Sequence, residues 1–588
     1  MAVGEELLGQ PPTASRQPLT TLATTWPNAP THLLAWFEHS YYTALLERAQ
    51  AERAALRDED AAATLATALS QFQTLDVAFL AANRYRLATE HWQRLPKHLT
   101  VGRVGLLQAE IAKKRAQLPI RTLMSEVGPA IQQIKPIFMM SPLSVATFLP
   151  PNDIQFDLVI FDEASQVRPA EAFSAILRGR QVVVVGDSRQ LPPTPFFERV
   201  IDEPEPELEL EDGMGTENER VPESILELSV RQNVAQAWLR WHYRSQHESL
   251  IALSNQEFYD NQLVVFPSPD AQRQNSGLIM HHLPDTAYER GSSRTNPQEA
   301  QAVAEAVMAH ARSRPHLTLG VAAFSSAQQK AISQKLELLR RQTPDLEPFF
   351  NAHPAEPFFI KNLENVQGDE RDIIFISMGY GYTAEKKLAL NFGPLNQSGG
   401  ERRLNVLITR ARWRCELFTN FQARDMNLSH THSAGVMVLR KFLRYAESGT
   451  LPELAPAERV AKDGLVEKLA AALQQQNHLV RRVNSSVNLD LALGDPARPG
   501  FDYLALMTDG GHAAHAPSAR DRERLQAQVL AGLGWQTHRL WSWGWWQKPE
   551  REWGKLEEEI KRLRDWRLET EPVDQSPVSS LSVSHFAL

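Results

Sequence analysis

Two short apolar runs, each ended by polar residues, constrain the fold of this chain more than any other feature. The first, FDLVIF at 156–161, leads into Asp162 and Glu163, and the second, QVVVV at 181–185, leads into the loop GDSRQ at 186–190. Runs this rich in β-branched and large apolar residues are typical of parallel strands covered on both faces. Because ligands of such sheets bind at the carboxyl ends of the strands, these polar residues are predicted to share one edge of the sheet.

The remaining sequence favours an α/β protein with several domains. Residues 33–118 are rich in Ala, Leu, Glu and Arg at helical spacing, which predicts long helices, either an inserted arm or an ordinary helical subdomain. Further strands are predicted in LTLGVAAF (317–324), RDIIFISMG (371–379) and RCELFTN (414–420). A last block, from 463, has the predicted order helix, three strands, basic helix and strand.

Composition excludes several classes of protein. The single cysteine, Cys415, rules out an intramolecular disulfide or a cysteine-based zinc site and fits a reducing, cytoplasmic compartment. No secretory leader is evident at the start, and no apolar stretch approaches the roughly 18 residues of a membrane span. The net charge is −8, but residues 202–212 hold seven acids and no base, so bulk acidity does not argue against a nucleic-acid partner.

The two polar strand ends carry groups suited to phosphate chemistry. Asp162 can hold Mg²⁺, Glu163 can activate an attacking water, and Gln190 can read a γ-phosphate while Asp187 braces its loop. Taken alone, the same residues are more typical of caps, turns and surface ion pairs.

Three further segments complete an ordered series with these strand ends: WHYRSQ (241–246), VQGDERD (366–372) and RRLNVLITRAR (402–412). In this order the sequence resembles the superfamily 1 helicases, most closely the branch of the nonsense-mediated-decay RNA helicase and its bacterial DNA-helicase relatives, over about 134–420. The resemblance implies two RecA-like P-loop domains that hydrolyse ATP with Mg²⁺ and move along nucleic acid. DNA is favoured over RNA as that partner, and the sequence leaves the choice open. It assigns Asp162 and Glu163 to the Walker B pair and Gln190 to the γ-phosphate sensor. It also implies an ATP-site role for four residues of the second domain, namely Arg244 and Arg410 at the triphosphate, and Gly368 and Glu370 in the motif that links the ribose to the nucleic-acid track.

One part of that family is missing, because GxxxxGK[ST] occurs nowhere in the sequence. The chain is therefore expected either to be the C-terminal portion of a longer or split helicase, with a separate chain carrying Walker A, or to have lost autonomous ATP hydrolysis. The resemblance also implies nucleic-acid contacts for Ser325, Ser326 and Gln328. The alternative for these three residues is an ordinary helix cap.

The last block resembles the very-short-patch-repair endonuclease family, with a PD-(D/E)xK core. The resemblance offers Asp490 and Asp509 as metal ligands and catalytic residues, with His515, His512 and the basic segment around Arg520 and Arg522 nearby. Many relatives carry Glu where this chain has Met507. Three alternatives stay open: an active nuclease, a DNA-binding relic of that fold, and an unrelated α/β domain.

These features predict six regions. They are a helical arm or insertion at 1–133, the remainder of RecA-like domain 1 at 134–235 with an acidic loop at 202–220, RecA-like domain 2 at 236–450, a linker at 451–462, a restriction-endonuclease-like domain at 463–570 and a disordered tail at 571–588. The predicted function is an ATP-dependent helicase or translocase with a metal-dependent endonuclease domain, in DNA repair or defence. The rivals are an inactive binding subunit that completes another chain's ATP site, and a nuclease with a scaffold-only helicase part.

Overall fold

The computed structural model describes most of the chain. The described residues are 29–52, 61–96, 101–151, 153–193, 221–270, 276–451, 463–483, 487, 489–496, 498–510 and 518–570. The acidic loop, almost all of the predicted linker, the predicted tail, and both candidate histidines, His512 and His515, lie outside them.

The described helices confirm the helical character predicted for the N-terminal part of the chain. In chain order they are α1 (Ala29–Glu52), α2 (Ala61–Arg94), α3 (Gly102–Ala112), α4 (Ile120–Ile134), α5 (Pro142–Phe148), α6 (Pro169–Ile176), α7 (Ile225–Arg231), α8 (Ala252–Phe258), α9 (Pro297–Ser313), α10 (Ser326–Gln342), α11 (Glu347–Asn351), α12 (Gly400–Ile408), α13 (Ala434–Ser448), α14 (Gly464–Gln475), α15 (Gln526–Gly532), α16 (Ser542–Gln547) and α17 (Pro549–Thr570). Within the described ranges, no helix has both the length and the apolarity to cross a membrane.

The described strands form four separate sheets. They are β1 (Phe156–Phe161), β2 (Gly179–Val184), β3 (Trp241–His242), β4 (Val264–Val265), β5 (Gly277–His282), β6 (Leu319–Ala323), β7 (Phe359–Asn362), β8 (Arg371–Ser377), β9 (Ala411–Thr419), β10 (Leu479–Arg482), β11 (Leu491–Asp495), β12 (Arg498–Thr508) and β13 (Gln536–Leu540).

The chain divides into two compact units, residues 1–74 with 540–559 and residues 75–539 with 560–588. The described part of the first unit is helical and contains α1, the start of α2, α16 and the first half of α17. Within it, the rings of Trp545 and Trp553 pack edge to face, with centroids 6.1 Å apart. All four sheets begin in the second unit, which contains the predicted site residues.

The β1–β2 sheet confirms two predicted strands but corrects the prediction that both of its faces are covered. The strands pair in parallel. Alternate residues, including Val159, Phe161 and Val184, pack against Ala172 and Ala175 of α6 in one apolar core. The residues between them on the opposite face are exposed. An apolar run predicts that a strand is buried, but it does not identify the helix or strand that buries it.

The five-stranded sheet shows the covered arrangement. Its strands run in the order β5-β9-β8-β6-β7, and every pair in it is parallel. Ile374 and Ile376 of β8 point into one apolar core, whereas Ile373 and Phe375 point into another on the opposite face. The sequence predicted β6, β8 and β9 but did not single out β5 or β7.

The four-stranded sheet has the order β10-β11-β12-β13, with α14 before it and a π-helical turn (Arg520–Leu525) and α15 before the last strand. This matches the predicted order of elements. The β10–β11 and β11–β12 pairs are antiparallel. Met507 of β12 belongs to a buried apolar cluster that also contains Phe266, from the segment after β4, and Trp535, beside β13.

Two backbone carbonyls also join this sheet to the segment after β4. The Trp535 Nε1 donates to the Pro267 carbonyl over 2.8 Å, and the Asp502 N–H donates to the Pro269 carbonyl over 2.7 Å. The last block is therefore packed against β3 and β4, and β3 ends two residues before Arg244.

Candidate functional site

The two acids after β1 stand at the carboxyl edge of the β1–β2 sheet, as predicted, and both are exposed. Glu163 has left-handed backbone angles (φ 50°, ψ 39°), a conformation that is uncommon for residues other than glycine and marks a sharp local turn. Its N–H donates to the Asp162 carboxylate over 2.9 Å. The Glu163 carboxylate accepts from Gln166 at 3.3 Å and, at 3.5 Å, from Gln367 in the loop before β8. Glu163 thus lies at the seam between the two parallel sheets.

The loop after β2 reaches the same seam. The Gln190 amide donates to the Asp187 carboxylate over 3.0 Å, so Asp187 braces Gln190 as predicted. The same carboxylate accepts the Tyr259 hydroxyl at 2.6 Å, and that hydroxyl accepts from the Asn405 amide at 3.1 Å. Burial, followed by the Asp187 charge, raises the pKa of Tyr259, so the phenol stays protonated and keeps donating.

Two arginines approach this seam, Arg244 from the segment after β3 and Arg410 from the residue before β9 of the five-stranded sheet. The Arg244 Nε lies 2.7 Å from the Glu370 carboxylate, and the Arg244 side chain is 40% exposed. Arg410 is buried, and its guanidinium donates to the Val406 carbonyl at 2.7 Å and the Thr409 hydroxyl at 3.1 Å. Burial first, and then the Arg244 charge, lowers the pKa of Arg410 to about 10, whereas the Glu370 and Glu163 charges oppose that shift.

The charges at the seam favour an anionic ligand. Arg410 stays protonated at neutral pH, and its guanidinium donates to the neutral oxygens of Val406 and Thr409. Within the part of the chain that the structure describes, Glu370 and Glu163 act on this charge only electrostatically, so it is incompletely balanced. A polyphosphate placed here would offer both arginines anionic oxygens in a partly dehydrated site, where such interactions are strong. Glu370 pairs with Arg244 here and also lies 3.4 Å from Arg412, so its predicted nucleotide contact requires it to exchange partners.

The loop bearing Arg244 is braced from within. The ring Nε2 of His242 accepts from the Ser245 N–H at 3.2 Å and lies 2.8 Å from the Ser245 hydroxyl. Burial, with a smaller effect of Arg244, lowers the pKa of His242 to about 4, which keeps the ring neutral and able to accept. Gly368 has φ +82°, a conformation that favours glycine in the turn between Gln367 and Glu370.

The serines predicted to contact nucleic acid lie at the start of α10. Ser325 caps this helix by accepting from the Gln328 N–H at 3.1 Å, and the exposed Ser326 accepts from Asn362 at 2.8 Å. Gln328 is fully buried, and its side-chain amide bonds the Asn296 backbone and the Ser377 hydroxyl. A direct contact between Gln328 and nucleic acid therefore does not fit this geometry. Gln328 instead holds the serine loop against β8.

Gln328 belongs to a buried polar network that contains an acid. The Glu299 carboxylate, also fully buried, accepts the Ser377 hydroxyl at 2.6 Å and the Gly379 N–H at 2.8 Å. Burial raises the pKa of Glu299 to about 7, although these hydrogen bonds oppose the shift. The carboxyl group therefore holds its proton across the mildly acidic range when the protein is folded.

The raised pKa of Glu299 predicts a pH-dependent stability. Between pH ~4.5 and ~7 the unfolded chain releases this proton while the folded chain keeps it, so the favourable contribution present at low pH is lost as pH rises, by about 3 kcal/mol in total. Unfolding midpoints measured from pH 4.5 to 7.5 should show this decline in the wild type and a shallower one in Glu299→Gln. Glu305→Gln, at an exposed position of the same helix, should keep the wild-type slope. Equal slopes for all three proteins would contradict the prediction.

The candidate metal residues of the four-stranded sheet are only partly assembled. Asp490 is buried just before β11, and its carboxylate accepts the Thr508 N–H at 2.6 Å and hydroxyl at 2.9 Å. Asp509 follows at the end of β12 and acts electrostatically on Arg539. In the described part of the chain, no three His, Cys, Asp or Glu residues cluster as a metal site. His515 and His512 lie outside that part.

The basic segment after β12 forms ion pairs within the protein. Arg520 and Arg524 both pair with the buried Asp76 of α2, the latter over 2.6 Å, and Arg522 pairs with Glu523 over 2.6 Å. The Arg520–Asp76 contact lowers the pKa of Asp76. The ion pairs of Arg520 and Arg524 thus connect Asp76 of α2 to the segment after β12.

Sequence reasoning missed Tyr259, Asn405 and Gln367 as parts of the site. A single Tyr in QEFYDN or Asn in RRLNVL carries no pattern that separates it from ordinary helix residues. Gln367 is the exception, because it lies inside the quoted VQGDERD segment and faces Glu163.

Comparison with known proteins identifies three segments of the chain that match known families. Residues 143–197 and 221–421 match two AAA domain families, and residues 466–560 match the REase_MTES_1575 family. The chain is 33% identical over 327 residues to an uncharacterised ATP-dependent helicase of Mycoplasma pneumoniae, covering 54% of this chain and 28% of that protein. It is 25% identical over 283 residues to the DNA-binding protein SMUBP-2 of Mesocricetus auratus, covering 45% of this chain and 24% of that one.

The chain thus spans less than a third of the length of these relatives. Among solved structures, the helicase nonstructural protein 10 of an arterivirus, in complex with DNA, aligns with 12% identity and a TM-score of 0.23, over 54% of this chain and 57% of that chain.

Proposed function

We propose that this chain, which joins superfamily 1 helicase domains to an endonuclease-like domain, forms most of the ATP-dependent motor of a DNA helicase or translocase. The observation that carries the proposal is the convergence of Glu163 and Gln190, which follow β1 and β2, with two arginines from other sheets. Arg244 follows β3 of the β3–β4 sheet, and Arg410 directly precedes β9 of the five-stranded sheet. Two arginines that reach a phosphate site from a second domain stabilise developing charge only when the domains close. Hydrolysis can thereby be coupled to motion along a strand.

In this proposal each site residue has one task. Glu163 accepts a proton from the attacking water, Gln190 orients that water or the γ-phosphate, and Arg244 and Arg410 hold the phosphate oxygens. The exposed carboxylate oxygens of Asp162 suit Mg²⁺, which supplies positive charge to the phosphates when bound. Glu370 contacts the nucleotide after releasing Arg244. Ser325 and Ser326 contact the nucleic-acid backbone.

The phosphate-binding loop and its lysine are the parts that this sequence does not provide. No GxxxxGK[ST] occurs, and no lysine occurs between Lys135 and Lys330. We therefore propose that another polypeptide segment, such as a separate chain with Walker A, completes the site, and that this chain alone binds ATP poorly. The direct test is hydrolysis of MgATP with and without single-stranded DNA. Strong DNA binding without hydrolysis under any pairing would instead favour the inactive binding subunit.

We also propose domain boundaries, a nucleic-acid partner, a biological role and a cellular location for the chain. The six predicted regions, from the arm at 1–133 to the tail at 571–588, are kept as proposed domain boundaries. DNA is favoured over RNA as the partner because an endonuclease-like domain accompanies the motor, and a role in repair or defence follows from the same combination. The single, buried Cys415 supports a cytoplasmic location.

A second candidate function, metal-dependent strand cleavage, is supported by the family match at 466–560 and by the two acids at neighbouring strand ends. We propose Asp490 and Asp509 as metal ligands, with His515 as an acid or further ligand. Mg²⁺-dependent nicking of supercoiled plasmid should then be lost in Asp490→Asn and in Asp509→Asn and unchanged in Glu163→Gln. Nicking that survives both substitutions would contradict this assignment. A wild type that binds DNA but never nicks would favour the DNA-binding relic.

A further inference from the structure

The loop after β2, residues 186–191, is attached to two of the parallel sheets. At its start, Gly186 lies so close to the turn after β1 that a Cβ atom there would be 3.0 Å from the backbone nitrogen of Ala164. At its end, Leu191 is 3% exposed and belongs to an apolar core of the five-stranded sheet, together with Phe258 of α8. The loop thus begins on the β1–β2 sheet and ends inside the core of the five-stranded sheet.

Polar side chains from the helices of the five-stranded sheet hold the middle of this loop. The hydroxyl of Tyr259, the residue after α8, donates to the Asp187 carboxylate over 2.6 Å. The side-chain amide of Asn405 in α12 donates to the Arg189 carbonyl over 2.9 Å and to the Tyr259 hydroxyl over 3.1 Å. Asn405 is itself buried, and its carbonyl oxygen accepts the hydroxyl of the buried Ser254. These groups form one connected set of hydrogen bonds across the seam.

These hydrogen bonds end at Gln190. The Asp187 Oδ2 accepts both the Tyr259 hydroxyl and the Gln190 amide, and the Asp187 Oδ1 accepts the Arg189 N–H at 2.8 Å. A carboxylate held through both of its oxygens is a fixed anchor for the amide that donates to it. The side chain of Gln190 is therefore oriented by groups of the five-stranded sheet, although Gln190 follows a strand of the other sheet.

We infer that Tyr259 is a positioning residue for Gln190: it fixes Asp187, and Asp187 fixes the amide that acts on the γ-phosphate and the attacking water. This inference rests on the proposed function and adds to it a residue that acts through other side chains. A phenol donates to a carboxylate without adding positive charge, so Tyr259 anchors Asp187 without competing with Arg244 and Arg410 for phosphate. An amide held across the seam is in place only while the two sheets meet, which restricts hydrolysis to that state.

Hydrogen exchange of the full chain without nucleotide tests the anchoring of the loop. Tyr259→Phe removes the hydroxyl but keeps the ring that packs against the apolar core, so the fold should be retained. Tyr445→Phe is the matched control, because Tyr445 lies in the same core and its hydroxyl hydrogen bonds with Ser249 instead. Exchange at residues 186–191 should rise about 10-fold in Tyr259→Phe, the effect of losing one hydrogen bond to a charged group, and stay at the wild-type rate in the control. Unchanged exchange in Tyr259→Phe would overturn the inference.

DNA-stimulated ATP hydrolysis by the assembled protein tests the positioning role. In Tyr259→Phe, kcat should fall about 10-fold, because a displaced catalytic group lowers the rate even when the displacement is small. The KM for ATP should stay unchanged, because Arg244 and Arg410 still hold the phosphates. Gln190→Ala should lower kcat at least as much, and adding Tyr259→Phe to Gln190→Ala should cause no further loss, since Tyr259 acts through Gln190. Tyr445→Phe should keep the wild-type rate.

Three kinetic results with an active wild type would overturn the positioning role and leave the proposed function standing. They are full activity of Tyr259→Phe, a change in KM alone, and a loss in the double variant that equals the product of the two single losses. A wild type without hydrolysis in any pairing would instead reject the proposed function, and with it the catalytic part of this inference. The exchange of residues 186–191 would still decide whether Tyr259 anchors the loop.

Discussion

Glu163→Gln is expected to lower DNA-stimulated ATP hydrolysis by about 100-fold or more in the assembled protein, because general-base catalysis contributes about 10²–10⁴-fold. The amide keeps the size and hydrogen-bonding reach of the carboxylate but cannot accept the proton of the attacking water. Since Glu163 is exposed at the end of β1, stability should change little. Steady-state phosphate release at saturating ATP measures the effect, and binding of single-stranded DNA should be retained.

Glu171→Gln is the matched control for this substitution. Glu171 is an exposed acid in the first turn of α6. Its substitution removes the same charge as Glu163→Gln from the same region of the chain. Its hydrolysis rate should equal that of the wild type. An equal loss in both variants would mean that bulk charge, rather than the position of Glu163 at the seam, controls the rate.

Trp535→Ala is expected to destabilise the attachment of the endonuclease-like domain by about 3–5 kcal/mol, the usual cost of removing a buried Trp side chain. Trp535 is 2% exposed, packs in the cluster that contains Phe266 and Met507, and donates to the Pro267 carbonyl. In calorimetry, the transition that includes this cluster should fall by on the order of 10 °C. Hydrogen exchange should rise in the segment after β4.

Trp535→Phe separates packing from hydrogen bonding at this position. It keeps most of the apolar volume but leaves the Pro267 carbonyl without its donor, so its cost should be smaller, about 1–3 kcal/mol. If Trp535→Ala left the exchange of residues 264–270 unchanged, the packing of the last block against β3–β4 would be contradicted.

The sequence predicted those parts of the site that follow from a local pattern. The apolar runs placed Asp162, Glu163 and Gln190 at one sheet edge, because strand direction and strand end are both legible in a short window. Tyr259 and Asn405 were not predictable in this way, because each acquires its role only when α8 and α12 meet the loop that holds Asp187.

At two further places the structure differs from what the sequence suggests, again because the contacting residues are distant along the chain. The sequence of SSAQQ suits either a nucleic-acid contact or a helix cap, and only the burial of Gln328 beneath Asn296 shows which atoms remain accessible. Likewise, the sequence places the basic segment after β12 near the candidate nuclease acids, yet Asp76, more than four hundred residues away, pairs with Arg520 and Arg524. Partners so distant along the chain leave no local signal.

The central claim is that residues of two sheets in this chain form an ATP site that another segment completes. The most direct measurement is MgATP hydrolysis with single-stranded DNA, by this chain alone and together with a polypeptide that carries the GxxxxGK[ST] loop. The expected result is negligible hydrolysis alone and DNA-stimulated hydrolysis together, lost in Arg410→Ala and in Glu163→Gln. Hydrolysis by the mixture that is unchanged in both variants, or no hydrolysis by the mixture at all, would contradict the claim.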